Sequence, residues 1–84
     1  MTAEFDATKI WAIEIMYHPH RTPRIYECEE GDGKEMIREV LSDLREETNL
    51  DDLTVIVKER SERFGFINTP LSFSHFRQAA VKQI

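Results

Sequence analysis

The chain has 84 residues, with 16 acidic against 11 basic side chains and a net charge of −5. That length supports one domain with a thin core, and no apolar run approaches the ~18 residues that a membrane-spanning helix needs. A single cysteine, Cys28, excludes an internal disulfide framework. The acidic start, Met1 to Asp6, lacks the basic and apolar regions of a signal peptide, so a cytoplasmic location is expected.

Charge is distributed unevenly. Residues 1–26 are balanced, with three acids and three bases. Residues 27–52 carry eleven acids against Lys34, Arg38 and Arg45, a net of −8, and residues 53–84 carry two acids against five bases, a net of +3. A chain polarised in this way steers a charged partner to one side.

Residues 1–8 read as a loose tail ahead of a single domain over 9–84. The first strand is expected over Ile10 to Tyr17. Its period of two puts Trp11, Ile13, Ile15 and Tyr17 on one face, and Ile10, Ala12, Glu14 and Met16 on the other. The second face is apolar enough to meet a partner or a second subunit. His18-Pro19-His20-Arg21-Thr22-Pro23 is a connection, because two prolines interrupt the donor ladder. Arg24 to Glu29 reads as the second strand, and Glu30-Gly31-Asp32-Gly33 as a turn with Asp32 the N-cap of the next helix.

That helix is expected over Lys34 to Thr48. Met36, Ile37, Val40, Leu41 and Leu44 form its apolar stripe. Glu35, Glu39, Asp43 and Glu46 fall three or four residues apart and form an acidic ridge, with Glu47 beside it. The β-branched run from Leu53 to Glu59 is the third strand. After a turn over Arg60 to Arg63, Phe64 to Ile67 reads as a short fourth strand, broken by Asn68-Thr69-Pro70. Ser72 caps a last helix whose core stripe is Phe73, Phe76, Ala80 and Ile84. The expected fold is therefore α+β: a small two-layer sandwich of order ββαββα, with two helices on one face of a mainly antiparallel four-stranded sheet. The alternative is an irregular 60–68 loop and three strands. An open sheet edge would support a homodimer.

Three constellations bear on chemistry. His18 and His20 have the alternate spacing that lets two imidazoles share a metal on a strand, but no second ligand cluster accompanies them. Leu44-Arg45-Glu46-Glu47-Thr48-Asn49-Leu50 resembles the tail of the Nudix box. Over those seven residues the likeness implies Glu46 and Glu47 as magnesium ligands. In the same register the box's Arg-Glu pair falls on Ser42 and Asp43, its earlier Glu on Lys34, and its Gly on Asn49.

Arg63-Phe64-Gly65-Phe66-Ile67 resembles a fragment of the first ribonucleoprotein motif of RNA-recognition domains. The likeness implies base stacking by Phe64 and Phe66, with Arg60 and Arg63 on phosphate. The chain departs from that motif at Arg63, where the motif has Gly, and at Thr69, where the motif has an aromatic.

The leading expectation is a small acidic interaction or regulatory protein, an inhibitor or adaptor and not an enzyme. It would dock a basic protein surface through Glu35, Glu39, Asp43, Glu46 and Glu47 or through a sheet edge, with Ile10, Met16 or Ile56 as apolar anchors. The alternative is a single-stranded nucleic-acid module built on Arg60, Arg63, Phe64 and Phe66. The third is a small metal-dependent enzyme. No catalytic residue, metal or cofactor is assigned on the leading expectation, and no membrane association is expected.

Overall fold

Alternating apolar residues and β-branched runs give four strands, and the two apolar stripes of helical period give two helices. In the computed structural model, residues 5–18, 21–47 and 49–84 are described. The order is β1 (Ile10–Tyr17), β2 (Arg21–Glu27), α1 (Gly33–Leu44), β3 (Leu53–Ser61), β4 (Gly65–Ser72) and α2 (Phe73–Val81). Short 3-10 turns, Ala7–Lys9 and Leu50–Asp52, precede β1 and β3. The sheet order is β2-β1-β3-β4, antiparallel throughout. This is the expected ββαββα arrangement, with four strands.

Register decides which side chains meet the helices. Ile13 lies opposite Val57 and Tyr26, and Ile15 opposite Val55. Val55 in turn lies opposite Leu71. These side chains form one core with Met36, Ile37, Val40 and Leu44 of α1 and Phe76, Ala79 and Ala80 of α2. Both helices therefore cover the same face of the sheet. The other face presents Glu27 and Ile25, Ala12, Glu14 and Met16, Thr54, Ile56, Lys58 and Arg60, and Phe66, Asn68 and Pro70. No element of the described residues covers it.

A bulge corrects the face expected for Trp11 and Ile10. The β1–β3 register shifts between Ile10 and Ala12. The extra residue turns Ile10 into the core, where it is 1 % exposed, and carries Trp11 to the uncovered face against Phe66. Ile10 is therefore no surface anchor.

Several boundaries also move. β2 starts at Arg21 and includes Pro23, and β4 runs through Asn68, Thr69 and Pro70 to Ser72. Both are edge strands, where a missing N–H costs no ladder bond, so proline ends neither. α1 stops at Leu44, short of the expected Thr48. Thr48 itself lies outside the described residues. Asp32 precedes α1 but its side chain makes no capping bond, whereas the Ser72 side chain accepts from the His75 backbone N–H. Ile84, expected in the core stripe of α2, is exposed.

Phe5 to Thr8 are not a loose tail. Phe5 is buried and stacks on Phe76 with ring centroids 5.8 Å apart. The Ala7 N–H donates to Gln83 Oε1 at 2.7 Å, and Gln83 Nε2 donates to the Phe5 carbonyl at 2.9 Å. The Asp6 carboxylate accepts from the Thr8 hydroxyl and backbone N–H, which hold its pKa below the ordinary carboxylate range. Residues 1–4 lie outside the described residues.

Candidate functional site

The uncovered sheet face is the most distinctive surface of the described residues. At its end nearest the β3–β4 turn, the Trp11 and Phe66 rings meet edge to face, with centroids 5.5 Å apart. Trp11 is half-buried because Phe66 and the sheet hold it, while Phe66 is 65 % exposed. The Lys58 ammonium lies 5.9 Å from the Trp11 ring centroid and 3.2 Å from the Glu14 carboxylate. The cation is therefore shared between a π face and an acid. Arg60 lies opposite Phe66 in the register. Farther along the same face stand Ile25, 57 % exposed, and the half-buried Met16 and Ile56.

Phe64 lies outside the face, in the turn, where Gly65 takes φ +80°. That left-handed conformation favours glycine, and it lets the chain reverse directly after Phe64. The Phe64 N–H donates to Ser61 Oγ at 3.1 Å, and the Phe66 N–H donates to the Phe64 carbonyl at 3.0 Å. Its ring is 68 % exposed, with the Arg63 guanidinium 5.2 Å from the centroid. Both expected rings are thus exposed, one on the sheet and one at its tip. Trp11, which sequence periodicity places in the core, joins them.

The acidic residues of α1 divide into two sets. Asp43 accepts from the Tyr26 hydroxyl at 2.8 Å, and Tyr26 accepts from Arg24 at 3.1 Å. Burial, the largest influence, pushes the Tyr26 hydroxyl pKa up, so it remains a donor at neutral pH. Glu47 pairs with Arg21 at 2.9 Å, and that guanidinium also sits 3.7 Å from the Tyr17 ring centroid. Asp43 and Glu47 therefore tie α1 and the segment after it to the edge strand β2. Glu35, Glu39 and Glu46 are exposed, with no hydrogen bond or ion pair among the described residues. The five expected docking acids are not one free array.

Neither sheet edge offers a clean ladder. β2 carries Pro23 with Arg21 and Arg24 close on either side, and β4 carries Pro70. Proline supplies no N–H, and edge prolines and charges oppose strand addition.

His18 Nε2 lies 3.5 Å from Thr54 Oγ1. His20, the other half of the expected metal spacing, lies outside the described residues. Among the described residues no three His, Cys, Asp or Glu side chains converge as a metal site. Cys28 is partly buried, with its thiol 3.5 Å from the Ile10 carbonyl. Burial first, and Asp32 second, push its pKa up, away from thiolate chemistry. No helix of the described residues is long and apolar enough to cross a membrane. Comparison with protein-family models, curated proteins and solved structures gives no match.

Proposed function

We propose that the chain is a small protein-binding module and that its contact surface is the uncovered sheet face. The observation that carries this reading is the exposed Phe66 ring, held against the half-buried Trp11, on a face that also holds Met16, Ile25 and Ile56. Aromatic rings, methionine and arginine are the side chains enriched where proteins meet, and rings locked by a neighbour lose little entropy on binding. The face spans on the order of 500 Å² by strand spacing and rise, against about 800 Å² per partner in a typical stable complex. A partner would therefore extend onto the turn carrying Arg63 and Phe64.

The charge of the face favours protein over nucleic acid. Lys58 is paired with Glu14, and Glu27 stands on the same face as Arg60. Phosphate recognition draws on cations that are free to neutralise it. Single-stranded nucleic acid is the second reading, favoured by the exposed Phe64 and Phe66 rings beside Arg60 and Arg63. A basic surface docked on Glu35, Glu39 and Glu46 is the competing route to protein binding.

The test compares Phe66→Asp with the triple variant Glu39→Lys, Asp43→Lys, Glu46→Lys. Circular dichroism checks the fold of both, since Asp43 also bonds Tyr26. A photo-crosslinking side chain at position 66 should capture a protein, and Phe66→Asp should abolish its retention while the triple variant keeps it. Loss with the triple variant alone would move the contact to the acidic helix face. Loss on nuclease treatment would move it to nucleic acid.

A further inference from the structure

On the opposite side of the molecule, the C-terminal end of α1, the Leu50–Asp52 turn and α2 line an open groove of mixed apolar and polar surface. Two open hollows of about 340 and 390 Å³ share Leu50, Phe73 and Arg77 and so run into one another. Leu41 and Leu44 close the first hollow, which Arg45 also lines. Val81, 54 % exposed, lines the second. Arg45 and Arg77 are exposed and make no ion pair among the described residues. The first hollow is lined by these two cations and no acid, in a chain of net charge −5. Asp51 stands at the second.

We propose that this groove is a docking site for an acidic, apolar peptide segment of a partner protein. Open, and shared between two hollows that have three lining residues in common, it suits a chain segment better than a compact small molecule. Leu41, Leu50 and Phe73 offer apolar surface for leucine-sized or aromatic anchors, the burial of which drives association. Arg45 and Arg77 present planar donors that fit carboxylates bidentately and discriminate against neutral or basic segments. Asp51 limits the acids to the part of the segment nearest Arg45. The site does not depend on the sheet-face reading, because it lies on the far layer of the sandwich and shares no residue with that face.

A short fluorescein-labelled peptide of leucine, phenylalanine and glutamate tests the site by anisotropy with the intact chain. Saturable binding at low salt is expected, weakened at least about tenfold when the peptide's glutamates become glutamine and again when Arg45→Glu and Arg77→Glu are combined. Phe66→Asp should leave that affinity unchanged, which separates this site from the sheet face. Arg77→Gln alone serves if the double variant does not fold, and should give a smaller loss in the same direction. Equal affinity for the glutamate and glutamine peptides would overturn the proposal. So would an unchanged affinity in the arginine variants, or a loss caused by Phe66→Asp.

Discussion

Gly33 opens α1 directly beneath the 3-10 turn that precedes β1. A Cβ there would collide with the Ala7 carbonyl oxygen and stand 3.2 Å from its carbon and 3.5 Å from Ile10 Cβ. The obstacle is backbone and core, so neither neighbour swings aside. Helix propensity favours alanine over glycine by about 1 kcal/mol, yet Gly33→Ala is expected to destabilise by about 1–3 kcal/mol, the usual cost of overpacking. A urea melt of the variant checks the sign. The same contact packs Ala7 closely against the start of α1. Residue-scale readings from sequence fail here because nothing in a glycine's neighbours along the chain reveals what lies across from it.

At the scale of elements, the two helix starts differ in a way that residue type alone hides. Asp32 and Ser72 are both favourable N-cap residues. Only Ser72 makes the bond, its Oγ accepting from the His75 N–H at 3.2 Å. Ser72→Ala should therefore cost about 1 kcal/mol, the typical loss of a cap. Asp32→Ala should cost clearly less than Ser72→Ala, since its carboxylate makes no capping bond. Equal losses in chemical denaturation would contradict this assignment. The strands carry a parallel lesson. The alternation of β1 correctly places Ile13 and Ile15 in the core, but one bulge reverses Trp11 and Ile10. A period-two pattern holds only as far as the register is unbroken. Pro23 and Pro70 mark strand ends by local rule, yet each lies within an edge strand, and edge position is a property of the whole sheet.

At the scale of the whole molecule, the N- and C-terminal parts of the described chain close on each other. Phe5 stacks on Phe76, and Gln83 bonds Phe5 and Ala7. In a domain this small the core has little redundancy. Phe5→Ala is expected to cost about 3–5 kcal/mol, a large share of the 5–15 kcal/mol that such folds possess. A denaturation midpoint unchanged by that substitution would show that the contact is dispensable. Hydropathy period, β-branched runs and turn residues along the chain determined the ββαββα order and most of the core stripe of α1. Local backbone geometry and side-chain shape dictate those features without reference to distant residues. Tertiary structure alone decided that Trp11 and Phe66 meet on an uncovered face and that Asp43 and Glu47 bond to β2. It alone decided that Arg45 and Arg77 flank one groove. Each of these depends on register and on packing between segments far apart in sequence, where a shift of one residue turns a side chain to the opposite face.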